Sequence, residues 1–174
     1  AEIPAAKPAA PAEGLIGPNA VLQTEAALRE AGGAALVERV FARAGLSHLL
    51  VEPPSEMIDQ SIPRALFGAL FEDLPRNQAL QLAHRAGALT GKYILANRIP
   101  APVRTLLRAL PARFAAPLLL AAITRHAWTF AGSGVCTAEA GRPARITIRA
   151  NPLAMPDCAW HVGVFEVLFA SLVS

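Results

Sequence analysis

The chemistry open to this 174-residue chain rests on four histidines, two cysteines and an excess of arginine. Among His48, His84, His126 and His161, two have neighbours of the right kind for a site. His161 follows Asp157 by one helical turn, so the carboxylate is placed to orient the ring. Phe165 comes one turn later, and Gly163 leaves space beside it. His126 stands between Arg125 and Trp128 where the periodicity of the chain changes, a place for a pocket mouth. A neutral imidazole held by a partner is a good axial donor to a metal, although the commoner role of a lone histidine is to satisfy a buried backbone group.

Other chemistries find no support. No glycine-rich loop joins a strand to a helix, as nicotinamide and flavin enzymes usually require, and Gly132-Ser133-Gly134 lies within a stretch that reads as extended. There is no Walker sequence, no nucleophile–base order and no pair of carboxylates at catalytic spacing. Cys136 and Cys158 lack zinc-finger spacing and read as small buried apolar side chains.

Charge divides the chain. Residues 1–75 carry five basic groups against ten acidic ones, whereas residues 76–149 carry eleven against Glu139 alone. Fourteen of the sixteen cations are arginine, whose planar fork grips carboxylates and phosphates in pairs. A solvated face, or pairing with the acidic first half, accounts for such a block most simply; an anionic small ligand or a membrane surface comes next. No aromatic side chains are interleaved with the arginines and no DNA-binding motif appears, so nucleic acid is not expected as a partner.

These residues must be positioned by helices. The composition is 53% hydrophobic but only 6% aromatic, which favours closely packed helices over an aromatic-rich sandwich. Residues 1–14, with Pro4, Pro8 and Pro11 among alanines, read as a flexible tail ahead of one domain over 15–174. A helix from about 19 stops at Gly32-Gly33, and a second ends at Gly45. Residues 51–54 form a connector. Pro63 and Pro75 open the next two helices, the second reaching about Arg98.

On that long helix Gly87 and Gly91 lie one turn apart, where they either admit a neighbouring helix at close range or leave room for a flat ligand. Pro102 and Pro111 punctuate two more helices, with Pro117 as a kink or restart inside the second. Residues 128–150 read as a β-hairpin, extended from Trp128. Asp157 then caps an apolar final helix. The fold class is α+β, a helical layer on a small antiparallel sheet, and a lone hairpin of this kind calls for further strands, a helical layer or a partner. The longest apolar run, residues 114–123, falls well short of the roughly 20 residues needed to span a bilayer. With no leader-like N-terminus, the expected location is cytoplasmic, at most peripheral to a membrane.

Three segments together carry a resemblance. The helix around His84, Gly87 and Gly91, the run from Leu110 through Arg125 and Trp128 to Gly134, and the segment from Asn151 through Cys158 and Gly163 to Glu166 resemble the vinyl-reductase domain family over roughly residues 15–174. The resemblance implies a fold related to haem-based gas sensors and to a vesicle-tethering subunit, a pocket for an apolar or aromatic ligand, and a tendency to form homodimers. It implies a role in bacteriochlorophyll synthesis, as an accessory or carrier that binds a tetrapyrrole such as divinyl protochlorophyllide and meets other enzymes of the pathway. A vinyl reductase drawing on an external reductant, and a ligand-free dimeric interaction module, are the other readings. Some members of the family hold zinc through a cysteine at the position of Cys158 and later residues; those later positions fall beyond Ser174, so no complete zinc site is expected here.

From this reading, the pocket walls should be the Gly87/Gly91 helix, the helix over 114–126 and the final helix. Arg85, Lys92, Arg98, Arg104, Arg108, Arg113 and Arg125 supply candidates for its mouth. His161, then His126, are the candidate ligands to the pigment metal, with Trp128 and Phe165 as packing surfaces.

Overall fold

Glycine and proline set most of the boundaries in the computed structural model, which describes residues 14–173; the expected tail over 1–14 lies outside them except for Gly14. Helix α1 (Asn19–Arg43) is two helical halves meeting at Gly33, whose φ of 68° and ψ of −164° break the hydrogen-bond ladder where Gly32-Gly33 predicts a stop. Each half buries its own stripe, Val21, Thr24 and Leu28 in the first, Val37, Val40 and Phe41 in the second. Gly45, at φ 72°, ends it in a Schellman arrangement: the Leu46 N–H reaches the Phe41 carbonyl at 2.8 Å and the Gly45 N–H that of Ala42 at 3.0 Å.

After a short helix α2 (His48–Val51) come α3 (Ser61–Asp73) and α4 (Arg76–Asn97), both entered at the expected prolines. Then follow α5 (Ala101–Ala109) and α6 (Ala112–Arg125). Pro117 does not divide α6. It and Arg113, whose carbonyl it leaves without a helical donor, are both exposed, so the gap lies on the solvent side of the helix.

Two pieces differ from expectation. Residues 128–131 are not the start of a strand but a helical turn, α7 (Trp128–Ala131), with the Ala131 N–H on the Ala127 carbonyl at 2.7 Å and Phe130 and Ala131 buried. The hairpin is accordingly shorter, β3 (Val135–Glu139) against β4 (Arg145–Arg149), antiparallel, with Cys136 opposite Ile148 and Ala138 opposite Ile146. That half-buried face packs on the helical core, which supplies the layer a lone hairpin needs.

A second small pairing, β1 (Leu15–Ile16) with β2 (Ile58–Asp59), was not legible as strands. It anchors α7: Gly17 N–H bonds the Thr129 carbonyl at 2.8 Å, while the Gln60 side chain exchanges bonds with Ser133 at 2.9 and 3.0 Å.

The last helix, α8 (Ala159–Leu172), lies against α4 with almost no space between backbones. A Cβ on Gly87 would run into the Trp160 carbonyl, and one on Gly163 into the His84 carbonyl. At Gly91 it would stand 2.8 Å from the Val164 carbonyl and 2.9 Å from Val167 Cβ. The glycines therefore serve the close helix contact rather than a flat ligand between the helices. Around this seam sit the buried Trp160, Val164, Ala83 and Ala86. Asp157 does not cap α8 through its side chain; it lies in a left-handed stretch with Cys158 ahead of the helix, at φ 57° and 48°.

Gly163→Ala should lower the unfolding free energy by about 3 kcal/mol, the upper end for overpacking, because the obstructing atom is backbone. Gly68→Ala, where a Cβ meets open space in the middle of α3, should raise it by about 0.5–1 kcal/mol. Urea unfolding followed by circular dichroism compares the two directly.

Candidate functional site

The histidine that the sequence singles out is buried in the core. His161 is 3% exposed and boxed by rings: Trp160 at 4.9 Å between centroids, Phe130 at 6.2 Å and Phe165 at 6.4 Å. Its Nε2 lies 3.2 Å from the Phe130 carbonyl, so that nitrogen holds the proton and donates, tying α8 to α7. Nδ1 is then a bare acceptor with no partner among the described residues, and the neighbouring Trp160 indole N–H likewise finds none there. Each such buried orphan costs about 1–3 kcal/mol. Asp157, exposed ahead of α8, makes no bond to the ring, contrary to the expectation from spacing.

Arg125, His126 and Trp128 come together elsewhere, exposed where α6 gives way to α7. Arg125 borders an aliphatic groove of about 510 Å³ formed with Leu120, Ala121 and Ala138. Phe165 packs edge-on against Phe130 at 5.4 Å, beside His161 and apart from that groove's lining.

The cations also divide. Arg85 grips Glu30 through two bonds of 2.8 and 3.1 Å, fastening α4 to α1 and holding the Glu30 carboxyl below its usual range; it is not among the residues lining the aliphatic groove. Arg39 and Arg43 share Asp73. Arg104 and Arg108 donate to the carbonyls of Leu95 and Ser171.

A second groove, of about 420 Å³, was not foreseen. It runs between α3, the start of α4 and the loop over 152–156. Phe67 and Phe71 form an aromatic floor with Gly68 open between them, Met155 lies on the loop side, and Arg64 and Arg76 stand at the rim. Neither arginine has an ion-pair partner among the described residues. The loop wall is set by the Asn151 carboxamide oxygen, which accepts the Leu153 N–H at 2.9 Å and seats Leu153 in the core. Beneath the floor, Phe67 meets Trp160 at 6.0 Å, so the groove is backed by the ring cluster that holds His161. The only linear hint was the i, i+3, i+4, i+7 spacing of Arg64, Phe67, Gly68 and Phe71 on one face of α3, ordinarily read as core.

Chemically, an aromatic floor with two guanidiniums at its edge suits a flat apolar molecule bearing carboxylates. Metal chemistry by the chain itself has no comparable support. No group of three or more His, Cys, Asp or Glu side chains is placed to hold an ion among the described residues. Cys158 is exposed rather than buried, alone at the entry to α8. Half-burial pushes the Cys136 thiol up, away from the thiolate.

Burial lowers the pKa of His161 to about 4, the Phe130 carbonyl opposing this only in part. Unfolded, the imidazole titrates near 6.5. Above that pH it is neutral in both states. Between 6.5 and about 4 the unfolded chain binds a proton that the folded protein refuses, so stability falls as the pH falls. Relative to His161→Gln, the unsubstituted protein should lose about 1.4 kcal/mol per pH unit across that window and level off below it, measured by urea unfolding at a series of pH values.

No family model matches the chain, and no solved structure matches it. Two relatives do. It is 46% identical over 165 residues to the bacteriochlorophyll synthase 23 kDa chain of Rhodobacter capsulatus, an alignment covering 91% of this chain and 75% of that protein. It is 42% identical over 164 residues to the bacteriochlorophyll synthase 23 kDa chain of Cereibacter sphaeroides, covering 91% and 78%.

Proposed function

Because the chain belongs to the bacteriochlorophyll synthase 23 kDa chain family and thereby to bacteriochlorophyll biosynthesis, we propose that it binds a tetrapyrrole intermediate of that synthesis as an accessory or carrier protein. The observation that carries this reading is the groove under Arg64 and Arg76. Phe71 and Gly68, with the buried Phe67 beneath them, offer the face of a macrocycle an apolar surface from which it would displace water, and the missing side chain at Gly68 lets the ring plane approach α3. The two guanidiniums meet the carboxylate edge, where charge-assisted bonds are roughly twice as strong as neutral ones. Divinyl protochlorophyllide has both features.

In this mode the protein shields the apolar pigment and fixes its edge. The central magnesium belongs to the pigment, and His161 does not reach it while its ring is buried behind Trp160 and bonded to the Phe130 carbonyl. In this reading the pigment metal is left to solvent or to a partner enzyme, as expected of a carrier that hands on its load.

Titrating divinyl protochlorophyllide into the protein should give a saturable shift of the pigment's absorption bands. Arg64→Gln and Arg76→Gln should each weaken binding about tenfold, the loss of one charged hydrogen bond. Gly68→Phe should abolish it by filling the floor. Unchanged affinity in all three variants would remove the groove from consideration, and band shifts altered only in His161→Gln would return the site to the histidine. Consumption of added NADPH with loss of the divinyl species would make the protein a reductase instead of a carrier.

A further inference from the structure

Helix α5 is mounted with its apolar face outward. Val103, Leu106 and Leu107 fall on one side of the helix, Arg104 and Arg108 on the other. In a globular protein such a helix turns its apolar side to the core, yet only Leu107 is buried, and Val103 and Leu106 are 43% and 57% exposed. Of the apolar side only Leu107 turns inward, and beside it the two arginines reach back to the body from half-buried and exposed positions. Arg104 Nη1 donates to the Leu95 carbonyl at 2.6 Å and Arg108 Nε to the Ser171 carbonyl at 2.8 Å. Both acceptors lie in the last turns of their helices, α4 and α8, where carbonyls lack helical donors and the dipole is negative. Two charge-assisted bonds therefore fix the inverted orientation.

Helix α6 extends the same character. Phe114 and Leu118, one turn apart, are each about half exposed, and the Arg113 guanidinium lies 4.8 Å over the Phe114 ring. From Leu74 to Ala138 the sequence contains no Asp or Glu. Arg98 just before α5 and Arg113 just after it have no ion-pair partner among the described residues.

We propose that the outward faces of α5 and α6 dock on the surface of an anionic lipid bilayer. Val103, Leu106, Phe114 and Leu118 enter the boundary between headgroups and acyl chains, and Arg98 and Arg113 lie among the anionic headgroups. Exposed apolar side chains bracketed by cations, in a stretch of sequence without Asp or Glu, match that surface in both hydropathy and charge. A second copy of the chain fits less well, because a two-fold interface sets this patch against itself and opposes Arg98 and Arg113 to like charges with no carboxylate between residues 74 and 138.

The test is co-sedimentation of the full chain with vesicles of phosphatidylcholine alone and of phosphatidylcholine mixed with phosphatidylglycerol. Binding is expected to the mixed vesicles only and to fall as salt is raised. Arg98→Gln with Arg113→Gln should weaken it roughly ten- to thirtyfold. Leu106→Ser with Phe114→Ser should weaken it on the order of tenfold or more at either salt concentration. All four positions are exposed, and unchanged circular dichroism confirms that the variants fold. Absence of binding, equal binding to neutral vesicles, or variants that bind like the parent would overturn the proposal. So would a dimer, seen by light scattering, that Leu106→Ser with Phe114→Ser splits while vesicle binding persists; that result would give the face to a second copy.

Discussion

The rest of this structure depends on one steric constraint, the backbone contact of α4 with α8 that Gly87, Gly91 and Gly163 permit. Because no side chain separates the helices there, Trp160 is driven in beside Phe67 and becomes the backing of the Arg64/Arg76 groove. The same contact aligns the C-terminal turns of α4 and α8 so that one short helix can reach both with arginines spaced one turn apart. A groove on one side and an outward apolar face on another are thus consequences of a single crossing. The seam also has a cost, the buried and unpartnered nitrogens of Trp160 and His161, which the surrounding packing of Phe130, Phe165 and Val164 must outweigh.

Electrostatics adds a division of labour. Some arginines are structural. Arg85 is held by Glu30, which realises the pairing of the basic block with the acidic first half that composition allows, and Arg39 is held by Asp73 within that first half. Others have no carboxylate to answer them among the described residues. Arg64 and Arg76 at the groove, and Arg98 and Arg113 beside the apolar face, remain available to anions from outside the chain. Exposed ion pairs contribute little to stability, so the number of arginines says little about the fold. Which of them keep an unanswered charge bears on what the protein meets.

The sequence by itself determined most of the elements and the family. Gly33 and Gly45 end helices because glycine alone adopts their φ without strain, Pro63 and Pro75 open helices because an N-terminal turn has no use for the missing donor, and the alternation in residues 145–149 marks a strand. Family likeness was legible for a related reason, since the order of short motifs is a linear property, and the relatives bear it out. Tertiary structure decided the partners. Periodicity tells which side of a helix is apolar but not what covers it, so Gly87 and Gly91 were open to two readings until Trp160 and Val164 were found against them. Spacing placed Asp157 near His161, but a left-handed turn at Asp157 and Cys158 separates them, and the carbonyl of Phe130, 31 residues away in sequence, accepts the ring N–H hydrogen bond instead. Residues 128–131 alternate like a strand in isolation; bonds from Gly17 and Gln60, distant in the chain, hold them and their C-terminal flank as a helical turn and its exit. The inversion of α5 is the clearest case, because nothing local distinguishes an apolar face that will be buried from one that two arginines, fastened to the ends of other helices, will turn to the outside.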